Sequence, residues 1–306
     1  MHTEIAHQSE QIHRWQRGPS TFWVHPEKGA RLMRWDIEMA DGSVREILHW
    51  PDQADWSQAG KIRGGNPILF PFSARSFFKG ELGYWKSPQG KRPMPNHGYA
   101  RQGAFQLENA AADGFIARFL PDTEAQANYP FDYNFFVDYR FHDLALEVTL
   151  TLENTGTEQI PWSAGHHFYF NLPWHADLER SHYEIHLPKC KGFRQDTRGN
   201  LLEDKSVQQV EDFGNDAIND RIHTKLKRPD AKFGPAGGEE WIQLSWEDSH
   251  GPAAWHALTT WTDQHDSLFY CVEPWMGPPN AAETEKGLHW VAPNTSQSYR
   301  VRVELG

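Results

Sequence analysis

Cysteine is almost missing from this 306-residue chain, which has only Cys190 and Cys271. Two thiols so far apart offer neither a disulfide framework nor a paired-cysteine metal knuckle. Long apolar runs are missing too. No stretch approaches the ~18–20 uninterrupted apolar residues of a membrane helix. The segment Met1 to Ser20 is polar and carries Glu4, Glu10 and three histidines, so it lacks the apolar centre of a secretory signal. Positive charge is in short supply, with 30 Lys and Arg against 41 Asp and Glu for a net charge of -11. That balance argues against a nucleic-acid backbone or an anionic membrane surface as partner, because both are bound through accumulated positive charge. The expectation is a soluble protein of a reducing, cytoplasmic compartment, with monomer and homodimer both left open.

Helix signals are scarce as well. The 20 Pro and 24 Gly are spread along the chain, and no long segment holds a capped apolar stripe of period 3.6. Aromatic residues are abundant, with 14 Trp and 18 Phe. Side chains that bury such large areas exclude disorder even at a hydrophobic share of 38%.

The dominant period is two. Leu144, Leu146, Val148, Leu150 and Leu152 alternate with Ala145, Glu147, Thr149, Thr151 and Glu153, as in a strand with one buried and one wet face. Phe135, Val137, Tyr139 and Phe141 alternate in the same way just before it, and the break at His142-Asp143 predicts a tight hairpin. Asp41-Gly42, between Arg31–Ala40 and Ser43–Trp50, and Asp113-Gly114, between Ala104–Ala112 and Phe115–Leu120, predict two more. Trp241–Trp246, Ala253–Thr262, Leu268–Val272 and Tyr299–Leu305 also read as strands. Strand following strand, without intervening helices, predicts an all-β antiparallel sandwich with few short helices. One domain is expected over residues 19–306, with residues 1–18 as a peripheral arm. Trp50–Asn66, Phe78–Asn96 and Asp196–Asp220 read as long loops, where function often sits.

Four segments set ionisable residues among Gly, Pro and aromatics: Arg63-Gly64-Gly65-Asn66-Pro67 running to Arg75, Met94 to Arg101, Ser163 to Asn171, and Val272 to Trp275. Each alone has an ordinary structural explanation, such as a glycine turn or a hydrogen-bonded histidine. Together they supply an imidazole, a carboxylate, hydroxyl-binding polar groups and aromatic faces. An imidazole and a carboxylate are the minimal pair for moving protons on two oxygens at neutral pH, and the mixture suits carbohydrate.

Gly64-Gly65-Asn66-Pro67-Ile68-Leu69-Phe70-Pro71-Phe72, Pro95-Asn96-His97-Gly98-Tyr99-Ala100-Arg101, His167-Phe168-Tyr169-Phe170-Asn171-Leu172 and Glu273-Pro274-Trp275, in that order, resemble the galactose mutarotase-like superfamily, which includes the aldose 1-epimerases and hexose-6-phosphate mutarotases. The resemblance implies a large antiparallel β-supersandwich. It also implies a hexose whose α and β anomers interconvert through ring opening, with His167 as general acid and Glu273 as general base, and no metal or organic cofactor. By the same resemblance His97 and Arg75 bind substrate, and Asp220 holds sugar hydroxyls, with Asp216 as its competitor. Arg63 and Arg101 point toward a phosphorylated sugar, since arginine forks suit phosphate, whereas the segment Glu273 to Ala281 looks closer to the free-aldose branch. Trp275, Phe168 and Tyr99 are expected in the walls of the site, and His166, next to His167 on a strand, on the opposite face.

Three rival chemistries fit parts of the pattern. A metal enzyme of cupin type would place two histidines two residues apart on one strand, and no His-x-His pair occurs. A glycoside hydrolase or lyase would usually need a second carboxylate across the bond. A non-catalytic carbohydrate-binding protein on the same scaffold stays open.

Overall fold

The computed structural model describes residues 1–249 and 255–306. Among these, one antiparallel sheet of 13 strands and one of nine hold most of the chain. The three expected hairpins form. Arg31–Glu38 turns through Asp41-Gly42 into Val44–Leu48, Ala104–Ala111 turns at Asp113 into Gly114–Leu120, and Tyr133–Phe141 turns at His142-Asp143 into Ala145–Asn154. Gly114 is needed for room, because a Cβ there would lie 1.9 Å from the carbonyl oxygen of Tyr139.

Alternation then decides the faces. Leu146, Val148, Leu150 and Leu152 are fully buried, as are Phe135, Val137, Tyr139 and Phe141 on the neighbouring strand. They meet the inner face of the 13-stranded sheet. Phe22 stacks on Phe141 at 4.3 Å between ring centroids, and Trp15 on Phe115 at 5.5 Å. Phe70, just after the short strand Ile68–Leu69 of that sheet, stacks on Phe135 at 3.8 Å. Each such side chain contributes about 1.5–3 kcal/mol on burial, so the aromatic surplus forms the seam between the sheets.

Strand bounds shift by a few residues. The expected Trp241–Trp246 is Ile242–Asp248, Leu268–Val272 lengthens to Phe269–Trp275, and Tyr299–Leu305 begins at Ser296. Of Ala253–Thr262, the strand is Ala257–Trp261, and residues 253 and 254 lie outside the described ones. Three expectations need larger revision. Residues 1–18 lie at the sheet edge, but as paired strands His2–His7 and Glu10–Arg17, and Trp15 is fully buried with its indole N–H on the Ala111 carbonyl at 2.9 Å. The expected loop Phe78–Asn96 contains the hairpin Tyr84–Ser87 with Gly90–Pro93, closed over the buried Trp85. The expected loop Asp196–Asp220 contains the sheet strands Leu201–Asp204 and Val210–Asp212. These segments carry too few apolar residues for period two to show. No helix among the described residues is long and apolar enough to cross a membrane.

The strand Phe269–Trp275 lies between Phe168–Asn171 and Ala257–Trp261. Its Tyr270 and Val272 belong to the inter-sheet core, while Phe269 and Cys271 pack with Tyr169 and Trp261 on the other face. That outer face of the 13-stranded sheet carries the candidate site.

Candidate active site

His167 stands in the gap between Gly165-His166 and Phe168–Asn171, where the pairs Gly165 with Trp275 and Phe168 with Val272 bring it beside Glu273. Buried Asn66 holds this segment from below. Its Oδ1 accepts the His167 backbone N–H at 3.1 Å, and its Nδ2 donates to the Tyr139 hydroxyl at 2.9 Å and lies 3.1 Å from His166 Nδ1. Gly65 allows this approach, since it has φ +66° and a Cβ there would fall 2.1 Å from the Leu32 carbonyl oxygen. The Trp275 indole N–H donates to the His166 carbonyl at 3.1 Å. The His166 ring faces inward, stacked on Phe168 and Tyr299.

Loops build the rim. His97 occupies the left-handed region at φ +66°, with its ring edge-on to His167 at 5.3 Å. Arg63 lies over the Trp261 ring at 5.6 Å and pairs with Asp263. Arg101 donates to the Gly60 carbonyl. Behind these, Arg31 is buried and donates to the carbonyls of Ile62 and Gly64 at 2.8 Å each.

The resulting cleft has a volume of about 550 Å³, and His167, Glu273, His97, Arg75, Asp220, Arg63, Arg101 and Trp275 all line it. Tyr169, Trp261, Lys61, Gln195 and Thr259 line it too and were not singled out in the sequence. Tyr169 could have been found, because it sits two residues from His167 on the same strand face and stacks on its ring at 4.6 Å. Trp261 and Thr259 carry no local signal, since the register of Ala257–Trp261 against Phe269–Trp275 is a long-range property. Two expected wall residues are elsewhere. Phe168 and Tyr99 are buried in the inter-sheet core, Phe168 because a one-residue step along a strand reverses the face. Asp216 is not among the lining residues, and its side chain is 96% exposed.

Nε2 of His167 lies 3.5 Å from Oε2 of Glu273, and the two residues are 6% and 2% exposed. Burial holds the Glu273 carboxyl well above its ordinary value, with the charge of Asp220 adding to the effect and that of Arg101 opposing it. Burial likewise pushes the His167 imidazole well below its ordinary value, aided by His97 and by the cations Arg101 and Arg31. His97 is lowered by burial, Arg101 and Arg75, and Asp220 is raised by burial against Arg75 and Arg194. Both uncharged forms are therefore favoured at the floor, where a buried charge is costly. Two groups among the described residues have a donor set that could hold a metal: His167, Cys271 and Glu273 at this floor, and Asp248, His256 and His289 away from it.

Solved structures of similar fold cover almost the whole chain. A protein from Synechocystis sp. PCC 6803 has a TM-score of 0.78 at 19% identity over 99% of this chain and 98% of its own. A galactose mutarotase-like protein from Clostridium acetobutylicum reaches 0.80 at 18% identity over 100% and 98%. A galactose mutarotase related enzyme from Lactobacillus acidophilus has 0.78 at 17% identity over 96% and 97%. At these identities the likeness is one of fold. No curated protein is similar to this chain in sequence. The sequence model of aldose 1-epimerase, however, matches residues 19–217, about two thirds of the chain and including five of the cleft residues expected from sequence. The chain belongs to the aldose 1-epimerase family.

Proposed function

We propose that this protein is a mutarotase that interconverts the α and β anomers of a hexose by acid–base ring opening, with His167 as general acid and Glu273 as general base. One observation carries the reading: Nε2 and Oε2 lie 3.5 Å apart at the floor of an open cleft. The hydroxyl oxygen and the ring oxygen of a hemiacetal are bonded to the same carbon. An acid and a base that must each reach one of them at hydrogen-bond distance have to be close neighbours themselves. A wide gap, with room for a water between two carboxyl groups, would suit hydrolysis instead.

The pair shares one proton. Before sugar binds, it rests as neutral imidazole and neutral carboxyl, the forms that burial favours. Transfer from Oε2 to Nε2 prepares it. Glu273 then takes the proton of the anomeric hydroxyl while His167 protonates the ring oxygen, the C1 to ring-oxygen bond breaks, and an aldehyde forms. Rotation about C1–C2 and closure with the proton movements reversed give the other anomer and restore the pair. The open-chain stage leaves both side chains uncharged, so their dry surroundings stabilise it. Trp275 and Trp261 offer faces to the sugar's C–H side, and His97 and Asp220 offer hydrogen bonds to hydroxyls.

A second reading concerns the substrate's charge. Arg63, Arg75, Arg101 and Lys61 all line the cleft, which favours a phosphorylated hexose over a neutral one. The two free cysteines fit the reducing cytoplasm as the compartment.

The test is one-dimensional NMR of freshly dissolved α-hexoses, free and 6-phosphorylated, with and without protein. Faster anomer equilibration that falls by at least ~100-fold in His167→Gln is expected. No acceleration with any of these sugars would leave a binding protein on a mutarotase scaffold.

A further inference from the structure

The strand Phe269–Trp275 sends Cys271 and Glu273 to the same face as the neighbouring His167. Cys271 is paired in register with Tyr169 on one side and Trp261 on the other. An imidazole nitrogen, a thiol sulfur and a carboxylate oxygen from His167, Cys271 and Glu273 lie within 4.8 Å of one another, and all three residues are buried. The Cys271 thiol takes no part in the mechanism above and does not line the cleft.

We propose that this triad is a binding site for a soft divalent metal ion, Zn²⁺ above all, and that occupancy switches the enzyme off. The inhibition rests on the mutarotase reading, whereas the binding does not.

The donor set is one that zinc prefers. Nitrogen, sulfur and oxygen ligands at ~2.0–2.3 Å in a tetrahedron lie ~3.3–3.8 Å from one another, and His167 Nε2 and Glu273 Oε2 are already 3.5 Å apart. A thiolate ligand selects a soft ion over magnesium or calcium, which take oxygen. A second observation points the same way. Glu273 Oε2 is buried without a hydrogen-bond partner among the described residues, and such an atom is costly to leave unmet. Oε2 is the carboxylate atom that faces His167. Three protein ligands leave a fourth position open, and the cleft lies above His167 and Glu273, so water or a sugar hydroxyl can complete the shell. A bound ion takes the lone pairs of His167 and Glu273 that carry the shuttled proton, so metal and catalysis exclude each other.

The experiment uses chelator-treated full-length protein titrated with Co²⁺ and then Zn²⁺. The site predicts a thiolate-to-cobalt charge-transfer band that saturates at one equivalent and is bleached by Zn²⁺. Mutarotation should fall in step with zinc occupancy and return on adding chelator. Cys271→Ala and Cys271→Ser should each lose the band and raise the half-inhibiting zinc concentration by at least ~10-fold, the lower bound set by outer-shell losses, while the metal-free rate stays unchanged. The proposal is overturned if no thiolate band forms, if the band survives in both variants, or if both variants are inhibited like the parent. The last result would move the ion to His167 and Glu273 alone or to the thiol-free group Asp248, His256 and His289. Because the cobalt band is read without sugar, a protein with no mutarotase activity still answers the binding question.

Discussion

The backbone N–H of Ala74 donates to Nδ1 of His97 at 3.0 Å, and the N–H of His97 donates back to the carbonyl of Ala74 at 2.9 Å. With Nδ1 accepting, neutral His97 carries its proton on Nε2. The left-handed backbone and the adjacent Gly98, where a Cβ would fall 2.0 Å from the Phe70 carbonyl oxygen, lock that arrangement. His97 is thus a fixed donor at the rim. His97→Asn, which tolerates the same backbone, should lower kcat/KM by ~10-fold, the scale of one hydrogen bond. Polarimetry at several sugar concentrations checks this, and unchanged kinetics would reduce His97 to a turn residue.

Glu273→Gln separates stability from activity. The carboxyl is raised above 4.5 by burial, so as pH rises past 4.5 the unfolded chain releases a proton that the folded chain keeps. The carboxyl's contribution to stability is present below 4.5 and is lost as pH rises toward its folded value. Glutamine has no proton to lose. The variant should therefore melt at a higher temperature than the parent, with a margin that widens from pH 5 to pH 8, while kcat falls at least ~100-fold. Calorimetry across that range reads the sign. His167, lowered below 6.5 by burial, does the opposite, contributing stability that is lost as pH falls below 6.5.

Arg75 reports on the substrate. Its exposed side chain borders the cleft and acts on the carboxyl of Asp220. If a phosphate occupies this side, Arg75→Ala should raise KM for a 6-phosphohexose by ~10–100-fold, the worth of a charge-assisted bond of about 1.5–3 kcal/mol, with kcat nearly constant. KM for the unphosphorylated sugar should move by less than ~3-fold. Equal effects on both sugars would reject a phosphate at Arg75.

Asn66 touches no sugar in this scheme, yet its side chain serves Tyr139, His166 and His167. Asn66→Ala leaves these buried groups without their amide partner and should cost at least ~2 kcal/mol in urea unfolding. Among molecules still folded, kcat should fall more than KM rises, because the His167 backbone loses its anchor. Asn66→Asp keeps the acceptor for the His167 N–H and should recover part of kcat.

Much of the site was visible in the four motifs, and the limits of that reading are physical. The match to the family's sequence model ends at residue 217, before Asp220, Glu273 and Trp275. Glu273 and Trp275 lie in the strand Phe269–Trp275 and reach the cleft by sheet register, and Asp220 sits in the turn just before the strand Arg221–Thr224. Phe168 and Tyr99 lie in the core and not in the aromatic walls for a related reason: residue type signals a ring but not the face on which it lands. Trp261, which does face the cleft, looks in sequence like any other core residue.

The strands with clear period-two alternation, the three hairpins and the all-β class were determined by the sequence alone, because alternation and turn chemistry act between neighbours in the chain. His167 and Glu273 were named from it as well. Their meeting at 3.5 Å was decided only by the tertiary structure. It depends on the pairing of Gly165 with Trp275 and of Phe168 with Val272, and a slip of one residue would turn Glu273 into the core. The change in charge preference of both groups is likewise tertiary, since it comes from the water that the assembled sheets and rim loops exclude.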